Sequence, residues 1–375
     1  TLPQVALLAG MPQAPNSYDP YANADQAKER RDLVLYSMKE NGKITKEQYD
    51  AAVATPVTDG LIAHDNNVNS NDKALVYDSF ITTVLKEVEE KTGLDPYNDG
   101  LTIETTIDSK AQQRLYDIVN TNNYIQYVND KIQNAVVMLD TKTGAVRAIS
   151  GGRKQTTLLG YNRATDNSRS TGSTIKPVID YGPAIEYLNY STGQTIKDQR
   201  TTYSNGVELN NWDFSHKGPM TLRTALVYSR NTTALQAFRA VGETNIKSFL
   251  NNLDIQIKND GQDYLVESNS IGADISPIKM AAAYATFGNY GTYSKPYTVT
   301  KVTTRDGQVI EFKPEQKQAM KDSTAYMITD VLKDSFKYGF ATEVAIPGLP
   351  TAAKTGSSNY TIEQKRAMGA SDYED

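Results

Sequence analysis

The chain alternates between stretches with the hydrophobic spacing of helices and shorter stretches with that of strands. Apolar side chains three or four positions apart share a helix face, whereas every second side chain shares a strand face. Helices are predicted at residues 5–9, 24–41, 74–91, 222–228, 232–241, 277–287 and 324–336, and others start at residues 45, 109 and 173. Strands are predicted at residues 101–107, 135–140, 145–149, 299–302, 309–312 and 351–357. The pattern therefore favours a mixed fold of helices and strands.

Several boundaries of these elements carry a local signal. Thr45 and Gln48 form a capping box, which marks a helix start. Gly144 lies between two predicted strands and supplies the positive φ of a hairpin turn. Ser276 before Pro277 predicts an N-cap with proline in the first helical position. These signals explain the five residues without any catalytic role.

Composition narrows the classes of function. The 375 residues suggest two or three domains of about 100–200 residues each. The net charge of −5 gives no reason to expect nucleic acid as a partner. The chain has no cysteine and only two histidines, so neither a thiolate metal site nor a histidine-rich one is expected. We expect no metal and no cofactor.

Ser173 and Lys176 form the leading candidate for chemistry. Three positions apart on a helix, their side chains share one face. A serine hydroxyl needs an adjacent base to become a nucleophile. A lysine serves as that base when a dry, electropositive pocket lowers its pKa. Gly172, just before the serine, allows an abrupt entry and a close backbone approach.

The short pattern alone is weak, because it recurs. Ser-x-x-Lys occurs three times, at Ser70/Lys73, Ser173/Lys176 and Ser276/Lys279. Ser-x-Asn occurs twice, at Ser229/Asn231 and Ser357/Asn359. Lys-Thr-Gly occurs three times, starting at Lys91, Lys142 and Lys354. The Ser70 pair lies in a polar linker and the Ser276 pair at a helix cap, while Lys91 and Lys142 precede a helix cap and a hairpin turn. One ordered triple remains: Ser173/Lys176, Ser229/Asn231 and Lys354-Thr355-Gly356.

This ordered triple resembles the motif set of β-lactamases and penicillin-binding proteins. Nearly the whole chain is similar to class A (bifunctional) penicillin-binding proteins, especially those of Gram-positive cocci. Besides the triple, the resemblance rests on residues 7–15, 18–20, 30–31, 34–35, 162–164 and 278–291.

The resemblance implies a penicillin-binding/β-lactamase-like transpeptidase fold of class α/β (α+β). It consists of an antiparallel sheet flanked by helices, preceded by a helical remnant of a glycosyltransferase domain. The expected domains are the glycosyltransferase remnant at 1–65, a linker or interdomain region at 66–130 and the transpeptidase domain at 131–375. Since the chain opens within a predicted helix and stops soon after Lys-Thr-Gly, we expect a fragment whose transpeptidase domain lacks its last strands and helix.

The resemblance also assigns roles in acyl transfer. Ser173 Oγ attacks a carbonyl, Lys176 is its base, and Ser229 relays a proton to the leaving amine. Lys354 supplies positive field at the catalytic centre. Substrate-binding residues are Asn231, which bonds a substrate amide, and Thr355, Gly356 and Ser357, which line the site of a carboxylate. The backbone N–H groups of Ser173 and Ser357 form the oxyanion hole.

The family cross-links peptidoglycan, so the implied partners are stem peptides ending in D-Ala-D-Ala, β-lactams that mimic them, and other cell-wall synthesis proteins. The implied location is the outer face of the cytoplasmic membrane, with an anchor upstream of Thr1. Glycosyltransferase activity is not expected, because the family's catalytic glutamates belong upstream of Thr1.

Three rival functions share parts of the triple. A class A β-lactamase also needs a glutamate that activates water, for which Glu186 is the nearest candidate; we expect Glu186 to lie on a helix surface instead. A D,D-carboxypeptidase uses the same residues with water as acceptor. A β-lactam sensor or scaffold domain keeps acylation and loses turnover. The sequence does not separate transpeptidase, carboxypeptidase and sensor.

Overall fold

The computed structural model describes residues 1–14, 17–61 and 69–359, with the backbone alone for residues 69–73. Most of the predicted polar linker, the Ser70/Lys73 side chains and residues 360–375 lie outside the described residues. By its internal contacts the chain divides into two compact units, Thr1–Asp72 and Lys73–Asp375. No helix among the described residues combines the length and apolar character needed to cross a bilayer.

The α-helices follow the hydrophobic pattern. They are α1 Leu2–Gly10, α2 Ala24–Glu40, α3 Lys46–Ala54, α4 Asn69–Thr92, α5 Ser109–Asn120, α6 Gly182–Leu188, α7 Leu222–Val227, α8 Asn231–Val241, α9 Glu243–Asn252, α10 Pro277–Gly288 and α11 Asp322–Lys333. Short 3-10 turns lie at Met11–Gln13, Gly172–Ile175, Glu267–Ser270, Asp334–Phe336 and Thr342–Val344, and a π-helical turn lies at Pro177–Tyr181.

The strands pair antiparallel in small sheets. They are β1 Thr102–Thr105, β2 Val136–Leu139, β3 Val146–Ser150, β4 Arg169–Ser170, β5 Thr195–Asp198, β6 Thr201–Thr202, β7 Glu208–Leu209, β8 Gly218–Thr221, β9 Asp274–Ile275, β10 Thr292–Ser294, β11 Val299–Thr303, β12 Val309–Glu311 and β13 Gln316–Gln318. One sheet has the order β1-β11-β12, and the other pairs are β2-β3, β4-β9, β5-β8, β6-β7 and β10-β13. Antiparallel strands flanked by helices are thus confirmed.

The first unit is helical, as predicted. Its core contains Ala6 of α1, Leu35 of α2 and Ala52 of α3. The capping box at the start of α3 is present, with the Thr45 side chain accepting from the Gln48 N–H. A reciprocal cap of this kind satisfies two backbone donors that the first helical turn leaves open.

The second unit contains the larger core. Its main cluster joins residues of the Gly172–Ile175 and Pro177–Tyr181 turns to α6–α11, and Ile175, Val178 and Ile179 are fully buried in it. A smaller cluster packs Phe80 of α4 against Val302 of β11. Burial on this scale fixes the segment that follows Ser173, because core side chains have few alternative positions.

Two local predictions are corrected and a third is confirmed in part. Ser173 lies in the 3-10 turn Gly172–Ile175, which is followed by a π turn, and does not open an α-helix. Residues 351–357, predicted as a strand, run extended without strand pairing among the described residues, since the pattern alone supplies no partner. The predicted N-cap with proline at the helix start is confirmed at Ser276 and Pro277 of α10, although the Ser276 side chain makes no capping hydrogen bond.

Candidate active site

Ser173 is held at a sharp turn. Gly172 has φ +51°, a conformation that glycine adopts without strain. After the serine, Ile175 is buried, and the Tyr284 hydroxyl of α10 donates to the Thr174 carbonyl at 2.7 Å. The Ser173 hydroxyl itself makes no hydrogen bond to any described residue. The backbone of the turn is therefore fixed, while its hydroxyl stays open to the cleft.

Lys176 lies beneath this turn and is fully buried. Its Nζ donates to the Ser229 carbonyl and to Asn231 Oδ1, both at 2.7 Å. Longer contacts reach the Arg230 carbonyl at 3.3 Å and Ser229 Oγ at 3.4 Å. Burial, reinforced by the positive charge of Lys354, lowers the pKa of Lys176 well below its ordinary value. A neutral amine has two N–H donors, which the two short contacts use, and its lone pair remains available to accept a proton.

Ser229 and Asn231 lie at the break between α7 and α8, as the sequence predicts. Ser229 adopts φ +54°, which is uncommon outside glycine and asparagine, and its side chain is 6% exposed. The Asn231 N–H donates to Asn211 Oδ1 at 2.7 Å, and Asn231 Nδ2 donates to the Asn210 carbonyl at 2.8 Å. The break thereby places a hydroxyl and an amide on one side of the cleft.

Arg230, between these two residues, is an anchor that sequence reasoning missed. Its Nε donates to Asp198 Oδ2 at 2.8 Å, and its Nη1 donates to Asp213 Oδ1 at 3.0 Å. Although burial opposes it, the hydrogen bond from Arg230 holds the pKa of Asp213 well below its usual range. Asp198 is fully buried and also accepts from the Thr232 hydroxyl at 2.7 Å. Asp213 and Asp198 lie 17 and 32 positions before Arg230, so no short motif connects these carboxylates with the arginine.

Lys354 completes the centre. Its Nζ donates to Ser229 Oγ at 2.8 Å and to the Thr355 carbonyl at 2.8 Å. Burial lowers the pKa of Lys354 to about 8. The Ser229 hydroxyl thus lies between two lysine amines, and the three predicted motifs meet at this one oxygen.

Two glycines bring residues 354–357 against the Ser173 turn. A Cβ at Gly356 would lie 2.7 Å from the Thr171 carbonyl oxygen, and one at Gly172 would lie 2.2 Å from the Ser357 carbonyl oxygen. Contacts this short leave no room for a side chain. The predicted close approach of this segment to another element is present, although the segment is not a strand.

A cleft of about 610 Å³ opens above these groups. It is lined by six of the predicted site residues, Ser173, Ser229, Asn231, Thr355, Gly356 and Ser357. Its aromatic wall of Trp212, Phe214 and Phe340 was not predicted; the Trp212 and Phe340 rings meet edge to face with centroids 5.1 Å apart. The sequence does not indicate this wall, because Phe340 lies more than 120 residues after the other two aromatic residues.

Among the other copies of the motifs, Ser276/Lys279 and the Lys-Thr-Gly sequences at Lys91 and Lys142 are absent from the lining of this cleft, whereas Ser357 and Asn359 of the second Ser-x-Asn copy belong to it. Lys279, the partner of Ser276, is exposed on α10, and Lys91 forms an ion pair with Glu87 at 2.7 Å. Glu186 accepts from the Thr324 hydroxyl at 2.6 Å and from the Lys321 N–H at 3.1 Å, so it caps the start of α11. A carboxylate engaged in this way, and absent from the lining of the cleft, does not activate a water there.

Two protein families match parts of the chain. Residues 134–371 match the penicillin binding protein transpeptidase domain, and residues 1–39 match the transglycosylase family. The first match contains every residue of the site described above.

Curated relatives extend the similarity to almost the full chain. Penicillin-binding protein 1A of Streptococcus oralis is 42% identical over 97% of this chain and 58% of its own length. Penicillin-binding protein 1A/1B of Bacillus subtilis is 41% identical over 96% of this chain and 39% of its own length. The chain therefore spans 39% to 58% of the length of these relatives.

Solved structures share the fold. Penicillin-binding protein 1A from Haemophilus influenzae superposes with a TM-score of 0.64 at 20% identity, covering 96% of this chain and 73% of that chain. The penicillin-binding protein PonA1 from Mycobacterium tuberculosis gives a TM-score of 0.65 at 24% identity, covering 77% of each chain. A further PonA1 structure, in complex with penicillin V, gives a TM-score of 0.64 at 23% identity and covers 76% of this chain and 77% of that chain.

Proposed function

The chain belongs to the penicillin-binding protein transpeptidase family, and from that premise we propose that it is a serine-type peptidoglycan D,D-transpeptidase inhibited by β-lactams. Its donor substrate is a stem peptide ending in D-Ala-D-Ala, and its acceptor is an amine of a second stem peptide. The observation that carries the proposal is the contact of two lysine amines with one hydroxyl, Lys176 at 3.4 Å and Lys354 at 2.8 Å from Ser229 Oγ, beside the Ser173 cleft.

Acylation begins at Ser173. Its Oγ attacks the carbonyl between the two D-Ala residues while its proton passes to the neutral Nζ of Lys176. The negative charge that develops on the carbonyl oxygen is met by the backbone N–H groups of Ser173 and Ser357. Such a donor commonly stabilises the transition state by about 3–4 kcal/mol.

The leaving D-Ala needs a proton on its nitrogen. The Ser229 hydroxyl gives up its proton to that amine and is reprotonated from Lys176, which returns Lys176 to its neutral form. In the second half of the reaction the acceptor amine attacks the acyl-enzyme, and the same groups carry the proton in the opposite direction. Lys354 donates to Ser229 Oγ and so favours the deprotonated form of that oxygen.

The substrate carboxylate lies on the Lys354 side of the cleft. The Lys354 ammonium attracts it, and the side chains of Thr355 and Ser357 donate hydrogen bonds to it. Gly356 lets the backbone approach, and Asn231 bonds the amide of the stem peptide. The aromatic wall of Trp212, Phe214 and Phe340 contacts apolar parts of the peptide or of a β-lactam.

The domain assignment is part of this proposal. Residues 1–65 are a glycosyltransferase remnant, 66–130 an interdomain region and 131–375 the transpeptidase domain. The family match over residues 1–39 supports the first of these. The proposed location is the outer face of the cytoplasmic membrane, where stem peptides occur.

Labelling with a fluorescent penicillin tests acylation. We expect one labelled peptide, which mass spectrometry assigns to Ser173, and no label on Ser173→Ala. Ser276→Ala is the matched control, since it removes the serine of a second Ser-x-x-Lys pair that lies outside the cleft. Label retained on folded Ser173→Ala would contradict the assignment.

Product analysis tests the acceptor. A stem peptide ending in D-Ala-D-Ala is incubated with an excess of an amine acceptor, and cross-linked and trimmed products are counted. Cross-linked product supports the transpeptidase. Trimmed product alone identifies a D,D-carboxypeptidase, and acylation by penicillin without either product identifies a sensor or scaffold domain.

A further inference from the structure

A buried carboxyl, that of Asp180, is left without a partner near the proposed base. Asp180 is fully buried, and neither of its carboxyl oxygens has a hydrogen-bond partner among the described residues. Buried polar groups are nearly always paired, so an orphaned carboxyl calls for an explanation. A purely structural role does not explain it, because an unpaired buried carboxyl lowers the stability of the fold and contributes no hydrogen bond.

The position of Asp180 in the chain supplies the explanation. It lies four residues after Lys176, in the π-helical turn Pro177–Tyr181. A π turn inside a helical segment is energetically unfavourable and occurs frequently at functional sites. Every residue of the turn is buried, and Lys176 directly before it is fully buried as well, so the carboxyl and the amine are both removed from solvent within four positions of one segment.

Apart from Lys176 and Lys354, the charged side chains around the turn already have ion-pair or hydrogen-bond partners. Arg230 is neutralised by Asp198 and Asp213, while Lys354 and Lys176 have no ion-pair partner among the described residues. The elements packed against the turn are α6–α9 and the Glu267–Ser270 turn, and their other charged side chains are engaged elsewhere. These are Glu186 with Thr324, Arg223 with Asp330, Arg239 with Glu267, and Lys247 with Glu243. Tyr181, the remaining ionisable neighbour, bonds Thr233 at 2.9 Å.

We propose that Asp180 is a positioning residue for the proton: its buried carboxyl is the counter-charge of Lys176 when Lys176 takes the proton from Ser173 Oγ. This rests on the proposed function. An ionised Asp180 leaves the pair with the Lys176 ammonium without net charge, which reduces the cost of creating a buried cation next to Lys354.

The ionisation tendencies of the two groups agree with a coupled pair. Burial raises the pKa of Asp180 well above its ordinary value, and burial lowers that of Lys176. Their proton affinities thus approach each other, and the protons leave in two steps that belong to the pair. The negative charge of Asp180 raises the pKa of Lys176 and so opposes the effect of burial. The positive charges of Lys354 and Arg230 lower that pKa further.

The pH profile of the acylation rate constant tests the proposal. Asp180→Asn keeps the shape and removes the charge, so Lys176 should deprotonate more readily. We expect the acid limb of the profile to move to lower pH by about one to three units, the usual effect of one close opposite charge. The plateau rate should fall, because Lys176 becomes a weaker base. The melting temperature should stay or rise, since no hydrogen bond is lost.

Asp78→Asn is the matched control. Asp78 is another buried aspartate of the same unit, and it accepts from the Leu159 N–H at 2.7 Å, a bond that asparagine retains. Its profile should match that of the parent chain. An unshifted acid limb in folded Asp180→Asn would overturn the proposal, whereas label retained on Ser173→Ala would overturn the proposed function instead.

A second measurement covers the case in which Asp180→Asn does not fold. The carboxyl ¹³C resonance of Asp180 is followed against pH in the parent chain and in Lys176→Met. A coupled pair predicts a higher midpoint for Asp180 once the lysine charge is gone. Identical titration curves in the two chains would overturn the proposal.

Discussion

The two halves of the site are held by different means. The packed half consists of Ser173, Lys176 and residues 229–231, and it lies on turns and helices that belong to the main core. The extended half consists of residues 354–357, of which 355–357 are exposed. Packing of the main core therefore holds the proposed nucleophile and base in place, whereas a few polar contacts hold the proposed carboxylate site.

The connections between the halves are few and specific. Lys354 Nζ donates to Ser229 Oγ, and the backbone of 356–357 contacts the Ser173 turn at Gly172 and Thr171. Substitutions in the packed half should consequently lower stability and rate together. Substitutions in the extended half should lower rate or binding while the fold persists.

The largest effect is expected from Arg230→Ala in the packed half. The change leaves the fully buried Asp198 without its arginine, and breaking a buried ion pair in this way costs about 3–5 kcal/mol. Denaturant unfolding should show this loss, and acylation should fall with it. Arg223→Ala is the control, since its pairs with Asp330 and Asp334 are partly exposed and should contribute about 1 kcal/mol or less. Equal losses for the two variants would contradict the role of the buried ion pair in holding the packed half.

Gly172→Ala should come next, because it acts where the halves meet. The added Cβ would lie 2.2 Å from the Ser357 carbonyl oxygen, so residues 355–357 must move. Displacement of a catalytic group by about 1 Å can lower the rate about 10²-fold. Gly206→Ala controls for backbone strain, since Gly206 also has positive φ but open space around its Cβ position. Comparable acylation by the two variants would show that the contact does not position residues 355–357.

A smaller effect is expected from Lys354→Ala, compared with Lys176→Ala in the packed half. Losing a general base costs about 10²–10⁴ in rate. Losing the Lys354 charge should instead raise the apparent dissociation constant of a β-lactam about tenfold, the size of one charge-assisted hydrogen bond. In the parent chain the Lys354 ammonium is lost as pH rises through about 8, so binding should weaken above that pH. Rate and binding constants measured separately decide the roles, and the reverse pattern would exchange them.

How much could be predicted differs between local features and long-range contacts for a physical reason. Helices, hairpins and the motif triple follow local spacing, and all three motifs meet at Ser229 Oγ as the order along the chain suggested. The partners of Arg230, the orphaned Asp180 and the aromatic wall depend on contacts between distant segments, which leave no periodic signal. The predicted strand at 351–357 was wrong for the same reason, since strand pairing depends on a second segment and not on composition.

The smallest effect is expected from Ser276→Ala. This substitution tests whether a second Ser-x-x-Lys pair takes part in acylation. Ser276 is buried at the start of α10, but its side chain makes no capping bond and Lys279 is exposed. Stability should change by no more than about 0.5 kcal/mol, and acylation should stay the same. Thr221→Ala is the contrast, because the Thr221 side chain accepts from the Thr224 N–H at the start of α7, a bond that commonly contributes about 1 kcal/mol. A marked loss of acylation in folded Ser276→Ala would mean that a second serine takes part, and the assignment of Ser173 would then have to be revised.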